Sequence, residues 1–235
     1  MPTRQTFQSP DDWAETCAAW AWDQIERGEM GQAESGILTA LLTSPHHALL
    51  HSHLGTLYLK TGRLDQSIKH LMQALQIEPK MDDTAATLAW ALHDQGQHAN
   101  AVLWARRALA LRISPERFAQ LGWLHLCLGK PNEAIPLFNQ SLIDDPTNTV
   151  SHLHLARSYS EVGQRKTAER VLTKGLEHAP NEPTLLLALA WLHHERGDQA
   201  HALTLATQVT EIQNSNASAW HLLGVSHLNS GNNEQ

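Results

Sequence analysis

Histidine is the residue type in this sequence that is the first candidate for metal binding, because sixteen of its 235 residues are histidines. A metal site on a helix needs ligands on one face, three or four residues apart. The pairs His51/His53 and His152/His154 are two residues apart and point to different faces. Only His47 and His51 are four apart, and His47 lies at a loop–helix junction. The sequence therefore predicts no metal site.

Motifs that carry catalysis or hold a cofactor are missing from the sequence. It contains no glycine-rich phosphate loop, HExxH, GxSxG or zinc-finger spacing. The two cysteines, Cys17 and Cys127, fit neither a zinc site nor a redox motif. We therefore expect no catalytic residue and no cofactor, so this segment is predicted not to be an enzyme.

Charge and hydropathy exclude further classes of partner. The net charge is −7 and no run of Lys or Arg occurs, which argues against binding to nucleic acid or to anionic membranes. The longest apolar runs, such as 185–192, are too short to cross a bilayer, so no membrane insertion is expected. Residues 1–13 are polar and resemble no signal peptide, which favours a cytoplasmic protein.

The elements that position these side chains are indicated by seven glycines at nearly equal spacing. Successive glycines are 34, 34, 33, 34, 34 and 34 residues apart. They are Gly28, Gly62, Gly96, Gly129, Gly163, Gly197 and Gly231. Such regular spacing over more than two hundred residues indicates a tandem repeat.

Other repeat positions follow once each glycine is numbered 15 in its repeat. Position 8 is always Ala or Gly, position 20 is Ala or Ser, and position 32 is Pro in four repeats. Small residues let two helices cross closely, glycine ends the first helix, and proline stops the second. Apolar residues recur between these positions at helical spacing. Each repeat is therefore predicted to be helix A, a tight turn and helix B, with positions 8 and 20 in contact.

The pattern resembles that of the tetratricopeptide-repeat family. The residues that carry the resemblance are Leu54, Gly55, Tyr58, Ala74 and Pro79, and again Leu121, Gly122, Ala134, Phe138 and Pro146. The resemblance implies an all-α fold, a right-handed superhelical solenoid of helical hairpins. In this family the A helices line a concave groove, and the arrays serve as scaffolds for other proteins.

The expected organisation is a short N-terminal lead, residues 1–13, followed by a repeat array over residues 14–235. The repeat boundaries are 14–47, 48–81, 82–114, 115–148, 149–182, 183–216 and a partial repeat, 217–235. The last A helix is internal in character and has no helix B after it, so we expect the sequence to be cut from a longer protein. The alternative is that this last helix serves as its own cap.

Four of the eight tryptophans share repeat position 9, which faces the groove in this family. The predicted peptide-binding residues are Trp22, Trp90, Trp123, Arg157 and Trp191, with His53, His93, His154 and His194 beside them and Glu26, Asp94 and Glu195 at the edge. Alanines at position 5, such as Ala18, Ala86 and Ala119, are expected to leave the indole faces open. Trp90 and Trp123 are expected to be the centre of the binding surface. The alternative is that these rings merely fill the wall, as expected for Trp13, Trp20, Trp104 and Trp220.

The expected function is a protein-interaction scaffold that binds an extended or helical peptide with basic or apolar side chains, through burial, cation–π contact and charge pairing. One alternative is the recognition arm of a larger enzyme of the glycosyltransferase or sulfotransferase type. Another is a carbohydrate-binding groove. With ordinary histidine pKa values, binding of a basic peptide should weaken between about pH 7.5 and 5.5.

Overall fold

The computed structural model describes residues 1–2 and 9–229, and those residues form thirteen α-helices and no strand. The helices are α1 Pro10–Glu26, α2 Met30–Leu41, α3 Ala48–Lys60, α4 Leu64–Ile77, α5 Asp82–Asp94, α6 His98–Leu111, α7 Pro115–Cys127, α8 Pro131–Asp144, α9 Thr149–Glu161, α10 Arg165–His178, α11 Pro183–Glu195, α12 Gln199–Ile212 and α13 Ala217–Asn229. The all-α helical-repeat fold is confirmed.

The chain forms two compact units, Met1–Ile113 and Ser114–Gln235. The first contains α1 to α6 and the second α7 to α13. In each unit the odd-numbered helices are A helices. Each A helix except α13 packs mainly against the B helix that follows it, and more lightly against the next A helix of its unit.

Each turn from helix A to helix B is made by a glycine in the left-handed region. Six of the seven evenly spaced glycines have φ between 66° and 83°, and no other described residue has a positive φ. At Gly62, for example, the amide of Gly62 donates to Leu59 O at 3.0 Å and that of Arg63 to Tyr58 O at 2.8 Å. These bonds satisfy the last carbonyls of helix α3. The expected turn is confirmed at all six; Gly231 lies outside the described residues.

The close crossing of helices A and B rests on the small residues at position 20. All six of them are completely buried: Ala33, Ser67, Ala101, Ala134, Ala168 and Ala202. In the second repeat the Ser67 hydroxyl donates to Gly55 O, at position 8, over 2.8 Å. This bond confirms the predicted contact of positions 8 and 20 there.

Helix starts differ from the expected boundaries at the N-terminus. Helix α1 begins at Pro10, inside the segment expected to be a lead. The hydroxyl of Ser9 accepts from the Asp12 amide at 3.1 Å and caps this helix. Ser114 caps α7 in the same manner, with Pro115 in the first turn, where the missing amide costs nothing.

In each compact unit one buried pair of hydroxyls links two consecutive repeats. Ser52 on α3 and Thr84 on α5 are 2.7 Å apart in the first unit. Ser141 on α8 and Ser151 on α9 are 2.8 Å apart in the second. Each pair satisfies polar atoms that would otherwise be costly to bury among apolar side chains.

None of the helices in the described ranges combines the length and the apolar content that crossing a bilayer requires.

Candidate peptide-binding surface

The A-helix face is the side of the A helices that carries repeat position 9. In the first unit it presents Trp22 and Trp90, and in the second Trp123, Arg157 and Trp191. The side chain of Trp22 is 37% exposed, whereas the other three indoles are partly buried. Position 9 therefore carries one exposed indole and three indoles that are only partly exposed to solvent.

Trp22 is held by a carboxylate on its own helix and an imidazole on the next A helix. Its Nε1 donates to Glu26 Oε1 at 2.9 Å. Its ring lies 5.0 Å from that of His53, centroid to centroid, at an interplanar angle of 38°. His53 in turn donates from Nδ1 to Ala18 O at 3.0 Å. The indole is thus positioned from two sides while more than a third of it remains in solvent.

The sequence suggested that alanines at position 5 leave an open surface beside the indoles, but two of them, Ala18 and Ala86, are buried. Ala18 is completely buried and Ala86 is 3% exposed. The reason at Ala18 is that the His53 side chain reaches across from α3 to bond its carbonyl. In these two repeats position 5 therefore belongs to the contact between neighbouring A helices.

Burial lowers the pKa of three histidines of this face. It lowers the pKa of His53 to about 4, against the opposing effect of its bond to Ala18. Burial is also the largest cause that lowers the pKa of His93, with His98 second. The pKa of His154 is lowered in the same way, with Arg157 as the second cause. The condition of ordinary pKa values is therefore not met at these three histidines, and His53 is neutral between about pH 7.5 and 5.5.

Trp90 contacts His93, which is paired with His98 at the α5–α6 turn. The ring of His93 meets Trp90 edge to face at 6.5 Å between centroids. The Nδ1 atoms of His93 and His98 are 3.0 Å apart, so one of them donates to the other. Asp94 follows His93 and is exposed. The structure thus places Trp90, His93 and Asp94 together at one corner of the first unit.

The ring of Trp123 is partly packed against other side chains of its unit. It packs against a buried cluster formed by Leu126, Ala134, Phe138 and Leu155. His154 stacks on Phe138 at 5.8 Å between centroids rather than on an indole. The Nδ1 atom of His154 is buried and, among the described residues, has no hydrogen-bond partner. Trp123, which was predicted with Trp90 to be the centre of the binding surface, is therefore less exposed than Trp22.

Trp191 lies between two histidines. His194 meets it edge to face at 5.6 Å, and His221 of α13 is 6.0 Å away, centroid to centroid. His194 Nδ1 is 3.0 Å from both Gln199 Oε1 and Ser226 Oγ, which fix its ring. The indole also packs on the cluster of Ala190, Ala206 and Leu222.

The acidic edge is stronger in the first unit than in the second. Glu195 pairs with Arg165 at 3.3 Å, and Arg157 pairs with Glu161 at 3.0 Å. Those carboxylates already have a cationic partner. In the first unit Glu26 accepts from an uncharged indole instead. The acid available to a basic ligand is therefore concentrated near Trp22 and Trp90.

The tryptophans off position 9 are not all packed. Trp13 is 4% exposed, and Trp20 packs beside it against the core of the first unit. Trp104 is partly buried, with the Arg107 guanidinium 5.0 Å from its ring centroid. Trp220 is 52% exposed, and its Nε1 donates to Asn214 O at 2.8 Å. The expectation of packing is wrong for Trp220.

Two histidines, one in each unit, form the same hydrogen bond to a proline carbonyl. His51 donates from Nε2 to Pro45 O, and His152 donates from Nε2 to Pro146 O, each at 3.0 Å. Both histidines are at repeat position 4 and both prolines at position 32 of the preceding repeat. The side chains thus tie each A helix to the turn that leads into it.

A cluster of possible metal ligands lies at the α11–α12 turn. Ligand spacing within single helices does not indicate it. Asp198 accepts from His193 Nδ1 at 3.1 Å and from His201 Nδ1 at 2.8 Å. The three residues are five and three positions apart, on either side of the left-handed Gly197. Spacing within one helix could not reveal them, whereas spacing across the predicted turn could have.

Comparison with protein families places four segments of the chain in one class. Models of the tetratricopeptide repeat match residues 49–81, 83–114, 128–192 and 183–208. Together these segments cover more than half of the sequence and fall in both compact units. No curated protein matches the chain in sequence.

Solved structures with the same fold are numerous and distant in sequence. The crystal structure of PilW, described as a widely conserved type IV pilus biogenesis factor, is 19% identical with a TM-score of 0.81, over 89% of this chain and 98% of PilW. The Pseudomonas aeruginosa pilF structure is 18% identical with a TM-score of 0.77, over 92% and 99%. YrrB, described as having an unusual peptide-binding site, is 14% identical with a TM-score of 0.61, over 79% and 96%. At these identities the likeness concerns the fold.

Proposed function

Because the chain belongs to the tetratricopeptide-repeat family, we propose that it is a protein-interaction scaffold whose A-helix face binds a peptide with basic and apolar side chains. In the first unit the proposed apolar contacts are Trp22 and Trp90, and in the second they are Trp123 and Trp191, with Arg157 beside them. Glu26 and Asp94 are the proposed acidic contacts. The fold of the family is consistent with a scaffold for protein–protein interaction, and the named contacts are the part that needs testing.

The observation that carries the proposal is the arrangement around Trp22. The ring is 37% exposed, yet its orientation is fixed by the bond to Glu26 and by contact with His53. A rigid, half-exposed aromatic ring loses little entropy when it binds a ligand. The adjacent carboxylate would attract a Lys or Arg whose charge lies near the indole. These are properties of a binding contact, which a ring that only fills the wall would not need.

Trp90 and Trp123 belong to different compact units, so each is proposed as a contact in its own unit. Trp90 has Asp94 one helical turn away and His93 at its edge. Trp123 exposes only part of its ring because it packs on the Phe138 cluster. We therefore expect Trp123 to contribute to stability as well as to binding.

The test begins with selection of peptides from a random library displayed on phage, followed by titration calorimetry of the enriched peptide. Trp22→Ala and Trp90→Ala should each weaken binding by about thirtyfold or more, as expected when a central aromatic contact is lost. Circular dichroism and thermal unfolding establish that the variants remain folded. Trp123→Ala should lower both affinity and melting temperature.

Trp220→Ala is the matched control, because Trp220 is exposed but lies off position 9. It should leave the affinity unchanged. Full affinity in the Trp22 and Trp90 variants, or an equal loss in the Trp220 variant, would show that the ligand occupies another surface.

A further inference from the structure

The cluster His193, Asp198 and His201 has the composition of a metal site. One ligand atom from each residue, two imidazole nitrogens and a carboxylate oxygen, lies within 4.8 Å of the others. Two histidines and one carboxylate are a donor set found at protein sites for zinc and other transition metals, with water completing the coordination. The cluster is separate from the A-helix face, and nothing in the proposed function requires it.

The turn between α11 and α12 holds the three residues in place. His193 is in the last turn of α11, and its carbonyl accepts from the Asp198 amide at 2.9 Å. Gly197, between them, has φ +82°. Asp198 also caps helix α12, where its Oδ1 accepts from the His201 amide at 3.4 Å. The backbone at each ligand position is therefore fixed before any ion binds, which reduces the entropic cost of assembling a site.

The observed distances are close to those a bound ion would set. The Asp198 carboxylate is 3.1 Å from His193 Nδ1 and 2.8 Å from His201 Nδ1. Donors about 2.1 Å from a zinc ion are about 3.0 to 3.4 Å apart for bond angles between 90° and 109°. Small rotations of the side chains would therefore open space for a cation at the centre of the three atoms, with each imidazole in the tautomer that carries its proton on Nε2.

Exposure favours entry of an ion from solvent. The side chain of His193 is 13% exposed, that of Asp198 37% and that of His201 70%. The partly buried His193 and the helix-capping carboxylate of Asp198 form the rigid side of the cluster. The exposed His201 leaves an open side where water can complete the coordination.

We propose that His193, Asp198 and His201 form a binding site for one divalent cation of the zinc type at the α11–α12 turn. Imidazole nitrogens favour Zn²⁺, Ni²⁺ and Cu²⁺, whereas Mg²⁺ and Ca²⁺ prefer oxygen ligands only. Bound metal joins the end of α11 to the start of α12, and a ligand that binds only the folded state raises its stability.

The experiment is calorimetric titration of the whole chain with Zn²⁺, together with thermal unfolding with and without the ion. The parent should bind one Zn²⁺ at a saturable site and melt at a higher temperature in its presence. His201→Gln and Asp198→Asn should each weaken that site by at least about a hundredfold, more than the loss of an outer partner costs. His46→Gln, which changes an exposed histidine elsewhere, should bind like the parent. Mg²⁺ should have no effect.

Loss of the capping bond could destabilise the Asp198 variant, so the exposed His201 decides the outcome. If folded His201→Gln binds Zn²⁺ like the parent, or if the parent shows no saturable site, the cluster serves only to cap α12. A one-to-one site lost equally in the His46 variant would also overturn the proposal.

Discussion

The Nδ1 atoms of His51 and His70 lie 3.0 Å apart, and only one of them can be the donor. His51 uses Nε2 to donate to the carbonyl of Pro45, so in its neutral form Nδ1 carries a lone pair. His70 must therefore donate from its own Nδ1. Protonation of His51 would put a second donor where an acceptor is needed. The bond between α3 and α4 therefore requires a neutral His51, whereas His70 can donate from Nδ1 in either protonation state.

We predict that the protein loses stability as the pH falls from about 6.5 toward 4. The pKa of His70 is lowered to about 4, chiefly by burial and secondly by His51, and that of His53 is lowered to about 4 by burial. Below about pH 6.5 the unfolded chain binds these protons and the folded chain does not, so each such histidine costs up to about 1.4 kcal/mol per pH unit. Above that pH the effect vanishes.

Urea unfolding at pH 7.5, 6 and 5 measures this effect. His70→Asn, which retains a donor but does not titrate, should make the dependence less steep while His53 still contributes, whereas His46→Asn should leave it as in the parent. A parent whose free energy of unfolding is the same at pH 7.5 and 5 would show that these rings are charged without cost.

We predict that affinity for a basic peptide bound at Trp22 is unchanged between pH 7.5 and 5.5. The imidazole nearest that indole is His53, whose pKa of about 4 keeps it neutral over this range. The affinity should decrease only at lower pH, when His53 gains a positive charge beside the ligand. Calorimetry at several pH values tests this prediction. A tenfold loss by pH 5.5 would mean that a charged imidazole does face the ligand.

Gly36 allows Trp20 to occupy a position where most other repeats have leucine. A Cβ at Gly36 would lie 2.2 Å from Cζ3 of the Trp20 ring. Gly36→Ala should therefore be destabilising, by about 1 to 3 kcal/mol, because the indole must move. In a Trp20→Leu background the same change should be neutral or stabilising, since alanine is the better helix former.

The four free energies of unfolding form a double-mutant cycle. Additive effects of the two substitutions would show that contact with Trp20 is not what makes Gly36→Ala destabilising.

The left-handed glycines impose a requirement on the backbone alone. Gly62 has φ +75°, and no atom lies within 4 Å of where its Cβ would be. Gly62→Ala should cost about 1 to 2 kcal/mol through conformational strain. Gly31, in helix α2, also has no neighbour within 4 Å but has an ordinary φ. Gly31→Ala should be neutral or stabilising, by up to about 1 kcal/mol. Equal effects in thermal unfolding would contradict the role of the φ angle.

The repeat fold could be predicted from the sequence because its signals are local and recur at a fixed period. A left-handed turn after helix A accepts glycine far better than any other residue, so Gly28 to Gly197 mark the turns directly. The small residues at positions 8 and 20 mark the helix crossing for an equally local reason, as the Ser67–Gly55 bond shows.

The candidate site was harder to predict because it depends on contacts between helices. Nothing in the sequence near Ala18 indicates that His53 covers it from the next A helix. The neutral state of His53 follows from the same burial. The position 9 tryptophans are identical in sequence terms, yet Trp22 is open while Trp123 packs on Phe138. Exposure is set by neighbours that the repeat pattern does not specify.

The buried hydroxyl pairs make the order of the repeats matter. Ser52 fits Thr84 of the following repeat because both bring a hydroxyl to the same buried point. If the sixth repeat replaced the third, Leu185 would occupy the position of Thr84. The Ser52 hydroxyl would then face a side chain that cannot form a hydrogen bond. The repeats are therefore not interchangeable, because each one limits which repeat can follow it.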